Sequence, residues 1–114
     1  MPAMLKGFFD RTLVPGADCA WDFPQSPDEK AASNGLVPKL TNIKRMMGVS
    51  TYGAPRQIAF LAGDNGRNCI ATAIRANFSP DCTCAWHGLY QLDSCSREAR
   101  QEFIATVRSA VRDF

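Results

Sequence analysis

An α/β domain built on a parallel sheet with helices on its faces is the fold class this sequence predicts, and two observations carry that prediction. Apolar residues recur at helical spacing at the start, middle and end of the chain, and between them lie two short runs dense in strand-forming residues. The resulting order is helix, long loop, strand, helix, strand, helix, and a helix between two strands is the alternation of parallel α/β folds. A chain of 114 residues with 46% hydrophobic and 21% charged residues has the composition of an ordinary single domain.

The opening segment Met1-Pro2-Ala3-Met4-Leu5-Lys6-Gly7-Phe8-Phe9-Asp10-Arg11 places Pro where a first helical turn tolerates it. Its apolar residues Met4, Leu5, Phe8 and Phe9 share one helical face. Val14-Pro15-Gly16 ends that helix, because Pro breaks the ladder and Gly accepts left-handed dihedrals. From Ala17 to Asn42 the composition turns to Asp, Pro, Ser, Asn and Gly with isolated Trp21, Phe23, Leu36 and Leu40, which reads as a long ordered loop. Arg45 to Ser50 reads as a short buried strand, and Thr51-Tyr52-Gly53-Ala54-Pro55-Arg56 as the loop after it. Ile58, Phe60 and Leu61 begin a helical stretch interrupted at Gly63-Asp64-Asn65-Gly66 and resumed by Cys69, Ile70, Ala73, Ile74 and Asn77. Ser79-Pro80 stops it, Cys82 to Leu92 reads as the second strand, and Ser94 or Ser96 caps a last helix. That helix carries an apolar stripe of Ala99, Phe103, Val107, Ala110, Val111 and Phe114. Two parallel strands alone make a poor core, so further strands are expected on the N-terminal side, and the Arg45–Ser50 strand is expected to show an unpaired edge and an uncovered apolar face.

The formal net charge is +2 and the basic residues are scattered, which supports neither a nucleic-acid tract nor a polybasic membrane patch. No stretch approaches the roughly 20 apolar residues of a membrane span, no secretory leader is evident, and the expected compartment is the cytoplasm. The five cysteines form an odd, sparse set, read as reduced thiols. Cys82 and Cys84 fall on one strand face, where they either pack as small apolar groups or form a thiol redox pair.

The opening segment through Val14-Pro15-Gly16 resembles the part of flavodoxin-like NAD(P)H:quinone oxidoreductases that follows their third strand. Thr51-Tyr52-Gly53-Ala54-Pro55-Arg56 resembles the Thr- and Gly-containing loop whose backbone amides meet the polar edge of the flavin ring in that family, and Trp86-His87-Gly88-Leu89-Tyr90 with the final helix resembles its last strand and helix. The resemblance implies a flavodoxin-like parallel sheet with flanking helices whose N-terminal strands are missing, so that residues 1–114 form the C-terminal part of one domain. On the order of 70 residues, the phosphate-binding loop among them, would be lacking. It further implies hydride transfer from NAD(P)H through FAD or FMN to a quinone-like acceptor, impaired in the chain as it stands, and a homodimer in the full-length form with Phe8 and Phe9 as contact surface.

On that reading the flavin carries the chemistry and no general acid or base is required of the protein. Pro2, Thr51, Tyr52, Gly53 and Ala54 are the expected cofactor-binding residues, with Met1 beside Pro2, and Tyr52 and Arg56 are expected to contact substrate. The alternative reading of the loop is a plain strand-to-helix turn, and that of Arg56 a solvated arginine. His87, the only histidine, either delivers a proton to reduced quinone or packs in its strand. Trp21 and Phe23 either roof the site or pack under their own loop. The alternative function is a flavin-free interaction module, or inactive fragment, that docks through its open sheet edge.

Overall fold

The computed structural model describes residues 2–16, 19–32 and 35–114. The expectations for Met1, and the parts of the long loop at 17–18 and 33–34, lie outside the described residues.

The first helix, α1, covers Ala3–Thr12. It begins on Pro2 and gives out at Leu13, just before Pro15, and Gly16 follows at φ +144° as the turn chemistry requires. None of its residues is fully buried, and Met4 is 89% exposed.

Between Gly16 and Ile43 the chain is more structured than its composition suggests. Strands β1 (Trp21–Asp22) and β2 (Val37–Pro38) pair antiparallel, and helix α2 (Pro27–Ala32) lies between them. A capping box starts α2: Ser26 Oγ accepts from the Glu29 amide at 3.1 Å while Glu29 Oε2 accepts from the amides of Gln25 and Ser26 at 2.7 and 3.2 Å. Those amide donors hold the Glu29 carboxyl below its usual range. The signal was available in Ser26-Pro27-Asp28-Glu29, a capping-box spacing with Pro at the first helical position.

Strand β3 (Arg45–Thr51) and strand β4 (Thr83–Leu89) form a parallel pair in continuous register, from Arg45 opposite Thr83 to Thr51 opposite Leu89. The connection runs through α3 (Arg56–Leu61), α4 (Asn65–Asn68), a π-helical segment (Cys69–Ile74) and a 3₁₀ turn (Arg75–Asn77). This is the interrupted helical crossover expected of the sequence, resolved as separate helices with the break at Gly63-Asp64, where both residues have positive φ. The last helix, α5 (Arg97–Arg112), is capped by Ser96, whose Oγ accepts from the Ala99 amide at 3.1 Å.

Side chains alternate across the sheet. Met46, Gly48, Ser50 and Tyr52 share one face with Cys84, Trp86, Gly88 and Tyr90, and the crossover helices cover that face through Ile70 and Ile74. On the other face, Arg45 donates to the carbonyls of Phe114 and Asp113 at 2.6 and 3.0 Å and lies 4.7 Å from the Phe114 ring centroid, which ties β3 to the end of α5. Among the described residues the fully buried apolar ones are few: Ala20, Ala59, Ile74 and Cys82. Fold class is therefore α/β with a small parallel sheet, and the sheet holds β3 and β4 alone among the described residues.

Candidate functional site

Thr51 is the last residue of β3, and Tyr52 to Pro55 turn off the carboxyl end of the sheet into α3. Open α/β sheets place ligands at that end. The loop is held by three backbone bonds to the chain leaving β4: Tyr52 N to Leu89 O at 2.7 Å, Leu92 N to Tyr52 O at 2.9 Å and Gln91 N to Ala54 O at 3.2 Å. Gln91 adopts φ +57° where it makes the last of these. The Tyr52 amide is thus spent inside the fold, while the amides of Gly53 and Ala54 meet no acceptor among the described residues.

The Tyr52 ring lies over the sheet at Gly88. It stacks on Tyr90, with centroids 4.5 Å apart and planes 12° from parallel, and its hydroxyl donates to Asp64 Oδ1 at 2.8 Å. Gly88 makes room for both rings, since a Cβ there would lie 3.1 Å from each. Asp64, at the crossover break, is in the left-handed region with φ 40°. Burial first, then the Asp64 hydrogen bond and charge, and then Tyr90, hold the Tyr52 phenol well above its ordinary value of 10.0. The Trp86 indole acts in the opposite direction on that phenol; its N–H is buried and meets no partner at hydrogen-bond geometry. Tyr52 is thus a neutral hydrogen-bond donor fixed in place.

Two adjoining depressions flank the loop. Tyr52, Gly53, Ala54, Asp64 and Gly66 line a shallow one of about 270 Å³. A larger groove of about 780 Å³ runs along β3 from Met46 to Thr51, walled by Pro2, Leu5 and Phe9 of the α1 segment and by Gly66, Ile70, Ile74, Phe78 and Trp86. No charged side chain lines it. At Gly48, in the middle of this groove, the Trp86 ring lies so close across the backbone that any Cβ would collide with it.

The expected cofactor residues are therefore brought together in part. Pro2 and Thr51 share the larger groove, Tyr52, Gly53 and Ala54 share the smaller, and Gly66 borders both. Arg56 stands apart, exposed at the start of α3 beside Phe60 and Leu61. His87 lies on the opposite sheet face from Tyr52, beside Ala110 and Phe114. Trp21 and Phe23 pack edge to face at 5.2 Å, and Trp21 Nε1 donates to Leu13 O at 3.3 Å, so these aromatics fasten their own loop to the end of α1. Cys82 is buried and Cys84 half-buried as free thiols. Among the described residues no group of His, Cys, Asp or Glu could hold a metal ion, and no helix is long and apolar enough to cross a membrane.

Asp64 and Tyr90 were not anticipated as partners of Tyr52. Asp64 reads in sequence as turn chemistry, and Tyr90 as one more aromatic of a strand. Only the parallel register, which sets Tyr90 beside Tyr52 just past the last ladder pair, brings them together.

No protein-family model, curated protein or solved structure matches the chain.

Proposed function

We propose that the chain belongs to a flavin-dependent NAD(P)H oxidoreductase of the quinone-reductase kind. The observation that carries the reading is the loop at the carboxyl end of β3, whose Gly53 and Ala54 amides meet no acceptor among the described residues and line a small depression, with Asp64 in its wall, that adjoins the larger uncharged groove at Gly66. Those amides suit the carbonyl oxygens of a flavin ring, and the flavin, FAD or FMN, would supply the hydride-accepting centre when bound. Tyr52, pinned by Tyr90 and Asp64, holds the loop in the shape that exposes the amides. Thr51 and Pro2 border the ring in the groove, and a quinone would take the remaining apolar space. None of the residues around the loop offers a phosphate cradle, so the flavin phosphate falls to groups outside this site.

Titrating FMN and FAD against the chain and following quenching of flavin fluorescence tests the reading. The expected result is saturable binding that weakens at least about tenfold in Ala54→Pro, which removes one amide donor. Flavin binding that Ala54→Pro leaves unchanged, or no binding to the chain at all, contradicts it.

A second reading is favoured by a separate feature, the outer edge of β3, which is unpaired among the described residues: a flavin-free module that docks through that edge onto another chain.

A further inference from the structure

The chain has two tyrosines, and the fold stacks them. Tyr52 and Tyr90 lie with ring centroids 4.5 Å apart, but their hydroxyls are placed differently. The Tyr52 hydroxyl donates to Asp64 Oδ1 at 2.8 Å, whereas the Tyr90 hydroxyl has no hydrogen-bond partner among the described residues. The Trp86 indole stands near enough to act on the Tyr52 phenol, and its own N–H is buried without a partner. Three oxidisable rings meet at one place, and only Tyr52 has a base in line to take its proton.

That difference decides which ring gives up an electron. Removing an electron from a phenol makes its O–H strongly acidic, so oxidation is easiest where a base already accepts a hydrogen bond from that O–H. Ionisation beforehand is closed to Tyr52, because burial first and then Asp64 hold its proton. Electron and proton therefore leave together. The Asp93 carboxylate assists: its Oδ2 lies 3.1 Å from where a Cβ on Gly53, the next residue, would stand. Oxidation takes the Tyr52–Asp64 pair from one negative charge to none, and a second carboxylate beside the pair favours that change.

We propose that Tyr52 and Asp64 form a one-electron donor site, at which a one-electron oxidant such as an oxygen-centred radical is reduced. In the step the oxidant gains an electron from the Tyr52 ring, the phenolic O–H bond breaks and its proton bonds to Asp64 Oδ1. The products are a neutral tyrosyl radical, a protonated carboxyl and the reduced oxidant. A reductant of the thiol or ascorbate class returns the electron, and Asp64 returns the proton. Neither Tyr90 nor Trp86 has a base for its proton among the described residues, so an electron deficiency that starts on either ring settles on Tyr52. Tyr52 and Asp64 both line the depression of about 270 Å³ at the loop, which gives a small oxidant or reductant access to the pair. The inference goes beyond the flavin reading and does not rest on it.

The test is flash oxidation of the chain by tris(bipyridine)ruthenium(III), followed by tyrosyl-radical absorbance and, in freeze-trapped samples, by electron paramagnetic resonance. The expected result is a tyrosyl radical that forms more slowly in deuterium oxide than in water. Asp64→Asn keeps an oxygen acceptor but takes no proton, and Tyr52→Phe leaves only a tyrosine without a base. Each slows radical formation at least about a hundredfold, the lower end of what a positioned proton acceptor contributes. Trp21→Phe, in the loop fastened to α1, leaves the rate as it is. Slow amide exchange at Gly48 and Ser50 in each variant shows that the sheet is intact. Absence of a tyrosyl radical overturns the proposal, as does a smaller effect of either substitution. Equal rates in water and deuterium oxide overturn it too, and that measurement needs no variant.

Discussion

At Tyr52 the local chemistry makes a prediction that ordinary packing does not. The phenol donates to Asp64 and lies against Tyr90, and burial together with the carboxylate raises its proton affinity in the folded state. Below the unfolded value of 10.0 both states hold the proton and the contact contributes in full; as pH rises beyond it the unfolded chain ionises first, and the contribution is lost. Tyr52→Phe is therefore expected to destabilise the chain by about 1 kcal/mol at pH 8, and the gap between the two proteins is expected to narrow as pH climbs past 10. Denaturant unfolding of both proteins at pH 8 and at pH 11 checks this, and a gap independent of pH contradicts it. Gly48 teaches a related lesson at the same scale. Its place in a run of strand-formers looks like a weakness, yet the Trp86 ring occupies the volume a side chain would need.

Among the elements, α5 is the one whose boundaries depend most plainly on a single side chain. Ser96 caps it, Glu98 lies in its first turn and Arg112 in its last, all in the sense the helix dipole favours. None of its residues is fully buried, so packing does little to replace a lost cap. Ser96→Ala is expected to cost about 1 kcal/mol, seen as a lower urea midpoint at unchanged slope, whereas Ser94→Ala is expected to be near neutral because Ser94 makes no cap bond. Equal effects of the two substitutions would contradict the assignment of the cap. The sequence placed α1, β3, the crossover break and α5 within a residue or two, because Pro15, Gly63 and the apolar spacing act locally. It passed over α2 and the β1–β2 pair, since the strands have two residues each and owe their pairing to contacts distant in sequence. The loop at Thr51–Ala54 was legible as a site from its position after a strand. The roles within it were not, because what engages the Tyr52 amide and phenol is a set of contacts with Leu89, Tyr90 and Asp64 that no local pattern encodes.

For the molecule as a whole, the small core and the open sheet are one fact seen twice. A radius of gyration of 16.9 Å exceeds the roughly 13 Å of a compact chain of this length. Large apolar side chains such as Phe60 and Leu61 remain more than three-quarters exposed. A two-strand parallel sheet covered by helices buries little, and an edge as long as β3 without Pro, bulge or Lys invites a partner strand. The flavin reading draws on the loop at the carboxyl end of β3 and requires that β3 be paired with β4 in the parallel register.

Residue-resolved amide exchange along β3 tests that requirement most directly. Slow exchange at Gly48, Ser50 and Tyr52 alternating with faster exchange at Met47, Val49 and Thr51 is the result expected of a strand paired with β4 on one side. Uniformly fast exchange along the segment would contradict the sheet from which the site is derived.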